Sequence, residues 1–363
     1  MTDDTDDNGG EYIQELIKHK MSRRVFVGGL AAAAIGAATG GYYFLGGSIS
    51  NSGIKMPDMI TPETRIFISW GESLAGAEQF GREGITLDQQ LTSFGYNNDH
   101  ITLMPISETN ALLSICHENV DGLDLKRALD KDAVDVMLAA MGVSVIEIQK
   151  DEAGWNVVKG SKYNRRINGY NSEIEISGPA GSGIMIGSIG NNSGAKTPWK
   201  TFLSCEGNIE KFFTGHREEH EGMGIGNGKF GEANTRFNVD KNGDEPYKFG
   251  WVVEYDPLDP SVRPKKRTAL GRFKHAGATC VMAKDGTAVI YMSDNEEFQH
   301  LYKFVTKKQY VEGWSSRDLL DEGTLYAAQF HESGKLTWLP IPQEKLLHTR
   351  EAALAAGATR MDM

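Results

Sequence analysis

A thiol and a carboxylate stand side by side near the middle of the chain, in the stretch KTPWKTFLSCEGN (196–208). Its apolar residues Trp199 and Phe202 have strand-like spacing, and the stretch then reaches Cys205, Glu206 and a glycine. Thiolates and carboxylates both bind metal ions in proteins, so either a metal site or only the end of a strand could account for this pattern. Cys205 itself is more typical of a small buried apolar side chain than of a metal ligand.

Three other patterns could bind ligands but favour ordinary structure. HREEH (216–220) fits a zinc-protease motif, yet a glycine precedes it and a glycine-rich tract (222–231) follows, so the helix that the motif needs is poorly supported. The G-x-G-x-x-G spacing within that tract lacks a preceding strand and a following helix, which favours a flexible loop. Asp240, Asn242 and Asp244 resemble the start of a calcium loop that lacks its glycine and closing glutamate, and we expect a polar turn.

Composition and charge exclude some classes of protein. The chain has 363 residues, of which 40% are hydrophobic and 24% charged, a balance typical of globular proteins. Its net charge of -11 argues against a nucleic-acid partner, because phosphate backbones are bound by clustered lysine and arginine. The one basic cluster, RPKKR (263–267), follows an acidic stretch and is interpreted as a solvated loop. Three cysteines, Cys116, Cys205 and Cys280, are too few for a disulfide framework.

The N-terminus has the pattern of an export signal. Arg23 and Arg24 precede a weakly apolar, Ala- and Gly-rich segment that carries no charge until Lys55. We therefore predict a twin-arginine leader over residues 1–55, export by the twin-arginine machinery, and a periplasmic or extracellular location. A membrane anchor is the alternative, because residues 42–45 lengthen the apolar run. The twin-arginine route carries folded proteins, which favours a metal centre that is loaded in the cytoplasm before export.

Short apolar runs separated by turn signals recur along the rest of the chain and predict strands. They are RIFISW (65–70), ALLSI (111–115), VSVIEI (143–148), WNVV (155–158), EIEIS (173–177), FGWVVEY (249–255), TCVMA (279–283), TAVIYM (287–292), TLYAAQF (324–330) and LTWLPI (336–341).

Turn and helix signals complete the predicted architecture. Glycine-containing turns at 152–154 and 284–286 predict two hairpins, and helical spacing predicts helices over 123–142 and 344–357. No fixed-period repeat is visible, so the residues alone favour an all-β fold that is either a propeller or a large sandwich.

From about residue 60 to the C-terminus, a series of segments in the same order along the chain resembles the PhoX family of alkaline phosphatases. They are FGYNNDHITLMPI (94–106), SKYNRRI (161–167), EISGPA (175–180), NNSGAKTPWKTFLSCEGN (191–208), FGWVVEYDPLDP (249–260), KKRTALGRFKHAGA (265–278), VIYMSDNEEFQHLYKFV (289–305) and LLDEGTLYAAQF (319–330). The resemblance implies a β-propeller over residues 56–363 that hydrolyses phosphomonoesters outside the cytoplasm, with iron and calcium ions in its site. Hard cations can bind a phosphate dianion and stabilise its oxygens as they gain charge.

The resemblance also implies roles for particular residues. Arg272 and His275 of GRFKH are expected near the phosphate, and a surface ion pair is the alternative for Arg272 and Asp294. The expected metal ligands are Glu118, Glu206, Asp294 and Glu296.

Several positions depart from the family pattern. Ser193 stands where the pattern has a cysteine after paired asparagines, and Gly207, Ala276 and Asn295 stand where acidic residues are expected. These changes remove coordinating groups, so we expect calcium rather than iron and an incomplete metal cluster. We also expect the propeller to lack its C-terminal strands. Two hypotheses follow: a phosphomonoesterase of impaired activity, or a non-catalytic propeller that binds calcium or a phosphorylated ligand, or serves as an interaction module.

Overall fold

Three open β-sheets form most of the regular secondary structure in the described residues. The structure is a computed structural model that describes residues 66–76, 78, 85–120, 133–312 and 315–361. The first sheet contains β1 (Asn98–Pro105), β2 (Asn110–His117), β3 (Gly142–Asp151), β4 (Gly154–Val157) and β5 (Arg165–Ile167). The second contains β6 (Glu173–Ser177), β7 (Gly183–Ile186), β8 (Asn191–Lys196), β9 (Phe202–Glu206), β10 (Val252–Tyr255) and β11 (Lys265–Arg267). The third contains β12 (His275–Met282), β13 (Thr287–Asp294), β14 (Leu301–Gln309), β15 (Gly323–Phe330) and β16 (Leu336–Ile341).

Helices in the described residues are few and short. The α-helices are α1 (Leu87–Leu91), α2 (Ala133–Ala140), α3 (Phe230–Ala233) and α4 (Thr349–Ala355). The 3-10 helices span Ile209–Phe212, Glu218–Met223, Thr235–Phe237, Glu245–Lys248, Thr268–Leu270 and Gln343–His348. Nowhere in the described part of the chain is a helix long and apolar enough to cross a membrane. Sixteen strands and only short helices in the described residues confirm the predicted all-β class.

The sheets differ in strand order. The third sheet is a simple meander in which each strand pairs with the next along the chain. In the second sheet the order is β7-β6-β11-β10-β9-β8, and β11 pairs with β6 in parallel and with β10 antiparallel. Strand β8 contacts β1 of the first sheet and β12 of the third. The second sheet therefore contacts both other sheets through its edge strand β8.

Both predicted hairpins are confirmed. Asp151 pairs with Gly154 across the β3–β4 turn, and the β12–β13 hairpin turns at Gly286, whose φ of 86° is one that glycine adopts without strain. RIFISW is the wrong prediction among the strands, because its described residues form no ladder. Phe67 and Ile68 instead pack against the buried face of the first sheet, so the apolar run is explained by burial.

The predicted helices are present with changed bounds. Within the first prediction, α2 spans Ala133–Ala140, Gly142 follows with a φ of 96°, and residues 121–132 lie outside the described part. The C-terminal prediction becomes a 3-10 helix over Gln343–His348 that continues into α4. Residues 1–65, which include the predicted leader, also lie outside the described residues.

The basic cluster RPKKR is not a solvated loop. Its last three residues form β11. Their side chains are buried among carboxylates, which neutralise their charge. Lys265 pairs with Asp318 and Asp321, both at 2.9 Å. Arg267 donates to Glu254 at 2.7 Å. These acidic partners allow the basic residues to be buried, and the sequence pattern did not indicate them.

Candidate functional site

Asp294 and Arg350 form a buried ion pair at the end of β13. Arg350 lies in the first turn of α4 and donates through Nε to Asp294 Oδ2 at 2.7 Å and through Nη2 to Oδ1. The two parallel bonds match the planar fork of a guanidinium to a carboxylate. Burial lowers the pKa of Arg350, but the Asp294 carboxylate outweighs it and raises the pKa above its ordinary value. Asp294 is therefore a buried partner of arginine, not part of a surface ion pair.

Glu296 extends this ion pair to a second cation. Its Oε2 accepts from Arg350 Nη1 at 2.8 Å and lies 3.0 Å from Lys274 Nζ. Lys274 also lies 3.3 Å from Glu210 Oε2. Partial burial raises the pKa of Glu296, but Lys274 and Arg350 outweigh that effect and lower the pKa overall. We call Asp294, Glu296, Glu210, Lys274 and Arg350 the charge cluster.

Glu206 ends β9 in a different environment. Its Oε1 accepts from Lys266 Nζ at 2.8 Å and from a serine hydroxyl, and its Oε2 accepts from the backbone N–H groups of Gly250 and Trp251 at 2.9 and 3.0 Å. The side chains of Glu206 and Lys266 are both fully buried. Four donors thus satisfy this carboxylate, and it ties β9, β10 and β11 together. The stretch KTPWKTFLSCEGN (196–208) therefore contains a buried strand, β9, that ends in an ion pair.

Glu118 carries no described bond to a lysine or arginine. Its Oε1 accepts from Asn208 Nδ2 at 2.5 Å, and its Oε2 accepts from Asn119 at 3.1 Å. Asn208 Oδ1 accepts in turn from Asn295 at 2.9 Å. Partial burial and the charge of Glu118 raise the pKa of Asp99 to about 6. Two carboxylates therefore lie near each other here, and the asparagines link them to the segment between Asp294 and Glu296.

Gly207 is packed against an asparagine side chain. A Cβ at this position would lie 2.1 Å from Asn192 Nδ2 and 2.7 Å from its Cγ. Asn192 therefore fills the space that a side chain at position 207 would need. Its Oδ1 is buried and has no described hydrogen-bond partner. The family's second glutamate at this place would require Asn192 to move.

Arg272 is buried rather than paired on the surface. Nε donates to the carbonyl of Phe249 at 2.9 Å and Nη2 to that of Pro246 at 2.8 Å, and the guanidinium lies 5.1 Å from the ring centre of Tyr247. Burial lowers its pKa to about 10, so the group stays charged at neutral pH. These carbonyls fix the plane of the guanidinium, and its charge is felt by Arg350 and Glu206.

His275 is neutral and rigidly held. Its Nε2 donates to the Gly271 carbonyl at 3.1 Å, and its ring packs on Phe273 with centres 3.7 Å apart. Burial lowers its pKa to about 3. In the β12–β13 ladder, His275 stands opposite Asp294. A histidine that stays neutral in this way cannot act as a general acid at neutral pH.

The cysteines near the site are neutral thiols. Burial raises the pKa of Cys116 to about 12, and that of Cys205 is raised further. Cys116 Sγ lies 3.3 Å from Ser204 Oγ and 3.6 Å from the carbonyl of Ser193. The prediction that Cys205 is a buried apolar residue is confirmed, since its side chain is inaccessible. Neutral thiols are poor metal ligands.

The donor set does not fit an iron and calcium cluster. No group of three or more His, Cys, Asp and Glu side chains within the described residues could hold a metal ion. The carboxylates of Glu206, Asp294 and Glu296 are each bound by lysine or arginine, and a serine at position 193 offers no thiolate. A multivalent cation needs several free anionic donors that converge. Glu118 and Asp99 are the carboxylates of this region that protein cations leave free in the described residues.

HREEH forms no zinc site. Its 3-10 helix begins only at Glu218, so His216 lies outside the helix and is exposed, whereas His220 is buried and bonds to the carbonyl of Gly243 at 2.7 Å. The Asp240 segment is a polar turn, as predicted, and its carboxylate accepts from the backbone N–H of His216 at 3.0 Å.

The glycine-rich tract is a packed strap rather than a loose loop. A Cβ at Gly222 would lie 2.0 Å from Glu351 Oε1, and a Cβ at Gly226 would lie 2.1 Å from the Gly215 carbonyl. Arg350 Nη1 donates to the Gly222 carbonyl at 2.8 Å. The glycines allow close contact between backbone and side chains, so they serve packing and do not cradle a dinucleotide.

The six predicted site residues therefore do not lie together in one site. Asp294 and Glu296 share Arg350, and Glu118 is linked to them through asparagines. Glu206 belongs to a separate ion pair, and Arg272 and His275 are held by backbone carbonyls. Sequence reasoning missed Lys274, Arg350 and Lys266. Lys274 lies inside the GRFKH segment, where it could have been noticed, whereas nothing in the C-terminal helical pattern pointed to Arg350.

Comparisons with known proteins agree with this architecture. Residues 61–363 match the family model described as Alkaline phosphatase PhoX. A solved structure, PhoX of Pseudomonas fluorescens in complex with vanadate, a transition state analogue, is 34% identical with a TM-score of 0.77, and this likeness confirms the propeller-like fold class. The match covers 82% of this chain, and the chain spans 61% of the length of that structure. A search of curated proteins finds no match.

Proposed function

Because the chain belongs to the PhoX family of alkaline phosphatases, we propose that it acts on phosphomonoesters with a turnover far below that of a member with a complete metal site. One observation carries the proposal. The carboxylates of Asp294 and Glu296, which the resemblance assigns to metal ions, are both bound by Arg350. The family is metal-dependent, and these two ligands are already neutralised by the protein.

The balance of charge explains the low turnover. Three carboxylates of the charge cluster (Asp294, Glu296, Glu210) outnumber its two cations (Lys274, Arg350). A phosphomonoester carries nearly two negative charges, and catalysis depends on positive groups that are in place before it arrives. Arg272 supplies one such group, whose plane is fixed by two carbonyls. Its charge alone does not offset the carboxylates around it, so an added cation is needed.

We propose that this cation is calcium, bound by Glu118 with Asp99. Both are oxygen donors of the kind that calcium prefers, and Glu118 has amide donors rather than a protein cation as its described partners. Iron is not proposed, because Ser193 replaces the family's cysteine and the nearby thiols are neutral. A calcium ion here would place positive charge beside Asn208 and Asn295, at the edge of the charge cluster.

Hydrolysis of a chromogenic phosphomonoester tests the function directly. Purified protein is assayed with calcium and iron supplied, beside a family member that has the complete ligand set. We expect turnover at least ~100-fold lower, since loss of one preorganised group can cost that much. Arg272→Lys should abolish what remains, because lysine cannot make both of the bonds that fix the positive charge on the Phe249 and Pro246 carbonyls. Turnover equal to that of the intact member would refute the proposal.

A second function is favoured by the same neutralised carboxylates. A propeller that binds phosphate without hydrolysing it needs Arg272 and calcium, but no nucleophile. Calorimetric titration with inorganic phosphate, with and without calcium, separates the two functions. Calcium-dependent binding with no detectable turnover selects the binding protein, whereas turnover that Arg272→Lys removes selects the enzyme.

We further propose that the protein works outside the cytoplasm. Arg23 and Arg24 before a weakly apolar segment support export by the twin-arginine machinery, to the periplasm or beyond. Anchoring by the same segment is the alternative. Phosphomonoesters that reach this compartment are the proposed substrates.

A further inference from the structure

Arg350 lies where a cation shared by Asp294 and Glu296 would lie. We infer that Arg350, together with Lys274, replaces a divalent cation in this half of the site, so that these two carboxylates are latent calcium ligands. The inference does not rest on turnover, and it concerns binding sites that a non-catalytic protein would also have. It predicts which single substitution creates a calcium site.

The contacts of the guanidinium are those of a shared cation. Three nitrogens of Arg350 donate to the two carboxylates: Nε and Nη2 to Asp294, and Nη1 to Glu296. Lys274 Nζ reaches the same oxygen of Glu296 at 3.0 Å. Protein cations therefore bind both oxygens of Asp294 and one oxygen of Glu296. These occupied oxygens are not available as ligands for a calcium ion.

Burial makes a counter-charge obligatory. The Asp294 side chain is inaccessible and that of Arg350 is 5% exposed. A carboxylate at such depth stays ionised only beside a positive charge. The guanidinium meets this need in the folded protein, and a divalent cation is the natural substitute when it is removed, because carboxylate oxygens are the ligands that calcium prefers.

The strap holds the guanidinium in place. Arg350 Nη1 donates to the carbonyl of Gly222, and the absence of a side chain at Gly222 lets that backbone approach Glu351. Arg350 is thus fixed from one side by the strap and from the other by β13. This arrangement resists displacement by a metal ion, since the arginine would have to leave four acceptor oxygens on three residues at once.

Calcium titration of the full chain by calorimetry tests the inference. In the otherwise unchanged protein, Glu296→Gln should leave calcium stoichiometry and affinity unaltered. Arg350→Gln should gain about one additional calcium per chain. Arg350→Gln combined with Glu296→Gln should lose that gain, with an affinity at least tenfold weaker.

Arg217→Gln is the matched control. Arg217 also forms an ion pair with a carboxylate, Glu219 at 3.0 Å, but both side chains are exposed. It should gain no calcium. A calcium ion lost from the Glu296→Gln protein would overturn the inference, and so would a folded Arg350→Gln protein that binds no more calcium than Arg217→Gln. If Arg350→Gln does not fold, the Glu296→Gln titration still tests the inference. Unaltered calcium binding supports it, and loss of a calcium ion contradicts it.

Discussion

Lys266 Nζ lies 2.8 Å from Glu206 Oε1, and neither side chain is accessible to solvent. This pair joins β9 to β11 inside the second sheet. Glu206→Gln should destabilise the protein by about 3–5 kcal/mol, because it leaves a buried ammonium without its carboxylate. Urea unfolding measures the loss, and we expect calcium affinity to stay the same.

A double variant serves as the control for that experiment. Glu206→Gln with Lys266→Met removes both charges and should recover most of the stability, since replacing a buried pair by apolar groups is often neutral. If Glu206→Gln instead lowered metal content while leaving stability intact, Glu206 would be a metal ligand and not a structural anchor.

Restoring the family's glutamate at position 207 should not restore activity. Gly207→Glu places its Cβ 2.1 Å from Asn192 Nδ2, so we expect a stability loss of about 1–3 kcal/mol from overpacking. Adding Ala276→Glu should bring no gain in phosphatase rate. Gly207→Glu in an Asn192→Ala background should be more stable than Gly207→Glu alone. A rise in turnover on Gly207→Glu alone would count against this account.

How much of the structure can be predicted from the sequence depends on how far apart along the chain the interacting residues lie. Hairpins at 152–154 and 284–286 were predicted because their signals are local. Short strands such as β5 and β11 were not, because their pairing depends on residues far away. β11 is the clearest case: its three basic residues look solvent-exposed until Glu206, Glu254 and Asp321 are brought against them.

The same limit applies to the site. Family motifs located Asp294 and Glu296, but not the arginine that binds them, which lies more than fifty residues further on. Glu206 and Glu118 are both glutamates in family motifs. Only their surroundings in the fold show that Glu206 is a structural anchor and that Glu118 is a carboxylate without a described protein cation. Burial likewise keeps the His275 ring neutral, and no spacing pattern in the sequence indicates this.

The folded protein should lose stability in acid through His275. Its pKa falls from an ordinary 6.5 to about 3 on folding, so its contribution is complete above pH 6.5 and is lost as the pH falls towards 3. The expected slope is about 1.4 kcal/mol per pH unit. The ring resonances of His275 should not titrate by NMR between pH 5 and 8. A titration midpoint near 6.5 would show that the ring is accessible to protons.

Export should depend on the arginine pair. Replacing Arg23 and Arg24 with lysine should leave the protein in the cytoplasm, because the translocase reads that pair. Cell fractionation with an antibody to the protein measures the distribution. Lys55→Arg, outside the pair, is a charge-preserving control that should be exported normally. Normal export of the double lysine variant would mean that another route is used.

Elemental analysis of the purified, full-length protein tests the central claim, which is that protein cations have taken over carboxylates that the family gives to metals. Protein is made with iron and calcium supplied, and bound metals are counted per chain. We expect about one calcium and no stoichiometric iron, with calcium lost in Glu118→Gln and retained in Glu296→Gln. Two irons per chain, lost in Asp294→Asn, would contradict it.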